Sequence, residues 1–151
     1  MRLLITAAAL IALPVMALAD EEAIEANIKA RQGFLEMLSL NMGPLAGMAK
    51  GEIPYDEAAA TTAAANLELL TKYPFPTLFI EGSSLDDVKG TAAKGDIWKN
   101  SEDFAKKYAD LGAAVTGAAE AVKGGQGNVG PVVQKIGATC KACHDSYREK
   151  N

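Results

Sequence analysis

Apolar residues recur along the chain at helical spacing and almost nowhere in alternation. From residue 21 to 49, Ile24, Ile28, Arg31, Leu35, Leu38, Met42 and Leu45 follow one another in steps of four and three, the stripe of a bundle helix. Gly51 and Pro54 end that stretch, and Gly43-Pro44 predicts a kink or an early stop. Residues 55–73 are rich in alanine and close on Leu69, Leu70 and Tyr73, which predicts a second helix able to approach its neighbours closely. Pro74, Pro76, Gly82, Gly90 and Gly95 mark 74–95 as a long loop, a length that usually carries function. A third helix is predicted over 97–123, with Phe104, Tyr108, Leu111, Val115 and Val122 on one face. After Gly124-Gly125-Gln126-Gly127, a fourth runs over 129–149, with Pro131 in its first turn and Val132, Val133, Ile136, Cys140, Cys143 and Tyr147 on one face. Short connections at 51–54 and 124–128 favour antiparallel neighbours, so the expected fold is all-α, an up-down four-helix bundle.

The chain's 151 residues suit one domain. A hydrophobic fraction of 49% supports a packed core, and 23% charged residues argues against disorder. The net charge of -4 and a pI near 5.0 disfavour nucleic acid as a partner, since a phosphate-binding surface needs clustered cations. The start is set apart from the rest. Met1-Arg2, an apolar run from Leu3 to Leu13 and Ala17-Leu18-Ala19 have the parts of a secretory signal peptide, with cleavage expected after Ala19. A membrane anchor is the competing reading, but the run is slightly short for a span. Residues 1–19 are therefore expected to be an export signal and 20–151 the working domain, outside the membrane once cleaved, with a bacterial periplasm as the expected destination.

The one His and both Cys fall within five residues of each other. Three ligands are too few for a structural zinc site. Cys140-Lys141-Ala142-Cys143-His144 is instead a Cys-x-x-Cys-His attachment signature for c-type haem. On a helix, residues three apart share a side, so both thiols reach one porphyrin edge and His144 follows to present a nitrogen to the iron. A disulfide between the two would close a very small loop and add little, and a thioredoxin-like pair would need a βαβ setting this chain lacks. One motif implies one haem c.

The Cys140-Lys141-Ala142-Cys143-His144-Asp145-Ser146-Tyr147-Arg148 ending resembles that of the cytochrome c′ family, exported single-haem four-helix bundles. Arg31-Gln32, Lys50-Gly51-Glu52, Pro54-Tyr55-Asp56 and Ile97-Trp98 also look like family landmarks. The resemblance implies haem bound through Cys140 and Cys143 with His144 as proximal ligand, Arg31 and Gln32 against the haem edge, and Asp96 approaching the haem. Arg31 itself sits in an apolar stripe, where a charge is costly unless paired. Haem propionates would pair it, and the competing reading is an arginine snorkelling at the bundle edge. Arg148, four residues after His144, shares its helix face and either shields the proximal side or is an ordinary cation near a helix C-terminus. Dimers through the first two helices are also implied, and the Ala-rich second helix with Phe34, Leu38 and Leu40 is compatible with them, although core packing explains these residues equally well.

The same resemblance puts the position opposite His144 four residues after Arg31, at Leu35. Leucine has no atom to coordinate iron, which predicts an open but crowded sixth position. Met37 should face away from Leu35, and Met48 lies further along. Met42, about 10 Å along the helix from Leu35, is the one rival ligand. These expectations lead to a non-enzymatic haem protein that binds NO or CO and exchanges electrons with a redox partner the sequence does not identify. The alternative is a low-spin, six-coordinate cytochrome c acting purely as an electron carrier. Peroxidase or oxygenase chemistry is disfavoured, because no distal His, Arg or Gln is evident to promote O–O cleavage, and an enzyme, either an NO reductase or a peroxidase, is the weaker third reading.

Overall fold

The computed structural model describes the backbone of residues 15–150 and the side chains of residues 21–150. Residues 1–14 of the expected export signal, and the side chains around its expected cleavage point, lie outside the described residues. Among the described residues there are six α-helices: α1 (Val15–Lys50), α2 (Glu57–Leu70), α3 (Asp96–Lys99), α4 (Ser101–Val115), α5 (Ala118–Ala121) and α6 (Val129–Tyr147). Helix α1 packs on α2 and α6, α4 on α6 and α2, and α5 on α2. The result is a four-helix bundle whose third member is built from α4 and α5 in succession. No described helix is long and apolar enough to cross a membrane.

The expected kink or stop at Gly43-Pro44 does not end α1, which keeps Pro44 inside and runs to Lys50. Proline removes one backbone hydrogen bond there. Leu45 and Met48 just beyond it are buried in the main core, so packing holds the last turns in place. Gly51 then takes φ +73, a left-handed conformation that suits glycine, and the Glu52 amide donates back to the Gly47 carbonyl at 2.9 Å. The side chain of Asp56 caps α2 by accepting from the Ala59 amide at 3.0 Å. The buried face of α2 is Ala60, Ala63, Ala64 and Leu67.

The third expected helix is interrupted twice. Asn100 separates α3 from α4 with an extended φ of -130, and Gly117, at φ +74, turns the chain between α4 and α5. The breaks span only one residue, Asn100, and two, Thr116-Gly117, inside an unbroken apolar stripe, so periodicity alone passes over them. The core falls into two parts. The main cluster runs from Leu45 and Leu67 through Leu111 and Val115 to Val129 and Ile136, with Cys140 packed against it. The second is Ala93, Ile97, Phe104 and Tyr147, with Phe79, Trp98 and Cys143 against it. The two cysteines therefore straddle the division of the core.

Candidate haem site

Helix α6 brings Cys140, Cys143 and His144 to the wall of a cavity of about 730 Å³, within the usual range of about 300–1,000 Å³ for small-molecule and cofactor sites. Arg31, Gln32, Leu35, Leu38, Ser39 and Met42 of α1 line it from one side, and Phe104, Lys107, Tyr108 and Leu111 of α4 from another. Phe75, Phe79 and Thr91–Ala93 of the long loop close it, together with Tyr147 and Arg148. The site thus has three helical walls and a fourth made from residues 71–95.

An aromatic chain holds that fourth wall. Phe34 of α1 stacks on Phe75 with ring centres 4.6 Å apart, and Phe75 meets Phe79 edge-on at 5.1 Å. Phe79 meets Phe104 at 4.7 Å, and Phe104 meets Tyr147 at 5.3 Å. Edge-on and offset contacts at these separations are favourable beyond simple burial. Phe34 is accordingly a core residue, the alternative to a place on a dimer face. Leu38 is likewise turned toward the cavity. Of the three, only Leu40 is exposed, at 65%.

The charged and polar residues separate clearly. Arg31 is only 2% exposed, which removes the snorkelling alternative. Its guanidinium donates to Ser83 Oγ at 2.8 Å, to the Ser83 carbonyl at 2.6 Å and to Thr91 Oγ1 at 2.6 Å. It also lies over the Phe79 ring, 4.7 Å from its centre. Burial pulls its pKa down from the ordinary arginine value. Gln32 donates to the Gly90 carbonyl at 2.7 Å. Both residues line the cavity, and their bonds go to the loop. Together they clamp residues 83–91 onto α1 as a strap. At its other end the strap is bonded to α6: the Lys94 amide donates to the Tyr147 carbonyl at 3.0 Å, and the Glu149 amide to the Ala92 carbonyl at 2.8 Å.

Asp96 is the expected residue that does not reach the cavity wall. It begins α3 and pairs with Lys99 at 3.5 Å, while its neighbour Ile97 lines the cavity. The reason is local, since a charge in the first turn of a helix gains from facing solvent and the helix N-terminus. Leu35 is 39% exposed and on the wall; Met37 is 45% exposed and off it, as the helical spacing requires. Met42 is on the wall too, but packed into the main core together with Cys140. It lies about 10 Å further along α1 than Leu35.

The electrostatics suit ligation by a neutral imidazole. Burial pushes the Cys140 and Cys143 thiols up from their ordinary value, opposed at Cys143 by the cation of Lys107. Both cysteines are free thiols. Burial and, next, the positive charge of Arg148 push His144 down, against the pull of Asp145. The imidazole is therefore unprotonated near neutral pH and offers a lone pair. Two thiols three residues apart, a basic nitrogen beside them and an apolar cavity fit a c-type haem.

The aromatic wall, the strap and the buried partners of Arg31 were not among the expected site residues. Phe75, Phe79 and the Ser83-Ser84 pair were the available signal, an apolar and small-residue content unusual for a solvated loop. Ser39 and Lys107 also line the cavity without a motif to mark them.

A family model described as Cytochrome C′ matches residues 26–148. A cytochrome c′ of Cereibacter sphaeroides is 44% identical over 150 residues, covering 99% of each chain. The solved cytochrome c′ from Rhodobacter spheriodes superposes with a TM-score of 0.82 and 45% identity, over 85% of this chain and 98% of that one. A nitric oxide complex of a cytochrome c prime mutant from Alcaligenes xylosoxidans superposes at 0.70 with 28% identity, over 84% of this chain and 97% of that one.

Proposed function

The chain belongs to the cytochrome c′ family, and on that premise we propose that it is an exported, non-enzymatic haem c protein with one axial position open to small diatomic ligands. The observation that carries this reading is the placement of Leu35 on the wall of the cavity that Cys140, Cys143 and His144 enter. When bound, the haem supplies an iron that takes up NO or CO and exchanges single electrons.

The chain's own residues set the terms. Cys140 and Cys143 would hold the macrocycle, one from each part of the core. His144 offers its nitrogen from the last turn of α6. Leu35, on the cavity wall, has no donor atom, so it would crowd a bound haem without supplying a ligand to it. The aromatic wall makes one side of the cavity apolar, and with His144 the sole histidine of the sequence there is no second imidazole to promote O–O cleavage. Arg31 and Gln32 place donors at the rim, where haem carboxylates would share them with the strap. The nitric oxide complex of the Alcaligenes relative supports the choice of ligand.

Met42 favours a second reading, a six-coordinate electron carrier, because it also lines the cavity. One spectrum separates the two. The reduced holoprotein is expected to show a high-spin visible spectrum that changes on addition of CO or NO. A sharp low-spin spectrum unaffected by CO overturns the open-site reading. Absence of turnover with excess NO or peroxide plus a reductant checks the non-enzymatic role. Recovery of the chain from the periplasmic fraction, starting at Asp20, tests export.

The proposal extends to a homodimer through α1 and α2. Met37, Leu40, Leu69 and Tyr73 are exposed apolar or aromatic residues around the Asn66–Asn41 hydrogen bond of 2.9 Å that joins the two helices. Sedimentation of the holoprotein as a single-chain species rejects it.

A further inference from the structure

Tyr147 is the last residue of α6 and 5% exposed. It follows Cys143 by four residues and His144 by three, so its tether acts on the turn that carries both. Helix ends fray, and the last turn of α6 has no partner further along its own helix. Yet this turn must aim an imidazole.

The tether has two arms. The Tyr147 hydroxyl donates to Asp103 Oδ2 at 2.7 Å, with the Asn100 carbonyl as a more distant acceptor at 3.3 Å. The Tyr147 carbonyl accepts from the Lys94 amide at 3.0 Å. The ring packs edge-on against Phe104 in the second part of the core, beside Cys143. Asp103 lies in the first turn of α4, where the helix N-terminus favours a negative charge, and pairs with Lys107 at 3.5 Å. Lys107 lines the cavity in turn. A hydroxyl-to-carboxylate bond of this length is charge-assisted and directional.

The geometry points to Tyr147 and Asp103 as a positioning pair: their hydrogen bond fixes the final turn of α6 against α4 and so sets the direction in which His144 enters the cavity. Neither residue touches the iron in this role. Each acts through the backbone between Cys143 and Arg148. The inference rests on the haem reading above for its consequence, and on the observed bonds for the pinning itself.

The test compares holoprotein carrying Tyr147→Phe, Asp103→Leu or Asp103→Asn with the native chain. Asparagine keeps an acceptor oxygen for the phenol and discards only the charge. The iron–histidine stretching band of the reduced protein is expected to broaden and shift in Tyr147→Phe and Asp103→Leu. It should stay close to native in Asp103→Asn. Amide exchange over residues 143–148 should quicken in the first two variants and not in the third. The double variant Tyr147→Phe with Asp103→Leu should be no worse than either single change. A native band and native exchange in Tyr147→Phe overturn the proposal, even if the protein melts earlier. So does an Asp103→Asn protein as perturbed as Asp103→Leu. The mass of the native chain reports haem attachment separately: a chain without covalent haem defeats the haem reading, while exchange still decides whether the pair pins the turn.

Discussion

Arg31→Ala is the most informative single change in this fold. The side chain is 2% exposed and has no carboxylate partner among the described residues; its bonds run to Ser83 and Thr91. Truncation strands the Ser83 carbonyl, at about 1–3 kcal/mol for a buried unpaired group. Thr91 Oγ1 loses less, because it still accepts from the Ala93 amide at 3.1 Å. The contact over Phe79 goes as well, worth about 1–2 kcal/mol when desolvated. Against these losses stands relief from holding a charge away from water, a smaller term here because the guanidinium is weakly hydrated and keeps three hydrogen bonds. The balance expected is a destabilisation of about 2–3 kcal/mol, or roughly 10 °C in Tm for a chain of this size. Urea unfolding of the holoprotein followed by circular dichroism measures it, and amide exchange over residues 83–93 locates it. Arg31→Lys should cost as much, since a point charge cannot reproduce the fork of donors. An Arg31→Ala protein within about 0.5 kcal/mol of native, the usual range for an inert surface change, refutes the reasoning. The strap would then be held by its own backbone and by α6.

Other outcomes follow from the same geometry. Single Cys140→Ser or Cys143→Ser chains should retain haem through one bond, and the double variant should lose it on denaturing chromatography read by mass. Leu35→Met should convert the reduced protein to a low-spin spectrum that no longer responds to CO, whereas Met42→Leu should leave the response unchanged. The Tyr147 bond holds Asp103 below the ordinary carboxylate value of 3.8. A folded-state pKa that is depressed gives stability present above the unfolded value and lost as pH falls through the folded one. The stability difference between native and Tyr147→Phe chains should therefore be constant at neutral pH and shrink below about pH 4, checked by urea unfolding across that range. Leu40→Glu with Leu69→Glu should yield a single-chain species in sedimentation without changing the CO spectrum.

The apolar stripes of the first, third and fourth helical stretches were legible because such helices repeat their core-facing residues locally, and the second was legible from its alanine content. Cys140, Cys143 and His144 were legible because the motif is contiguous. Arg31 could be flagged as an anomaly from its place in the stripe, but not given its partners, which lie 52 and 60 residues away. The same holds for Phe34, whose stacking on Phe75 depends on how residues 71–95 fold back. Asp96 was placed near the haem by resemblance alone, and the start of α3 turns it to Lys99. Gly117 was readable as a glycine, but its left-handed turn only became necessary once α4 and α5 had to follow α2.

The strap is bonded to α1 through Arg31 and to the end of α6 through Lys94 and Glu149. This has a temporal consequence. Helical turns form within about a microsecond from local contacts, but each strap bond must close a loop of tens of residues. α6 is the last of the bundle helices to be synthesised, and it carries one anchor of the strap together with all three haem-bonding side chains. The fourth wall's second anchor can therefore form only after the chain has emerged through its final turns, whereas its anchor on α1 can close without them.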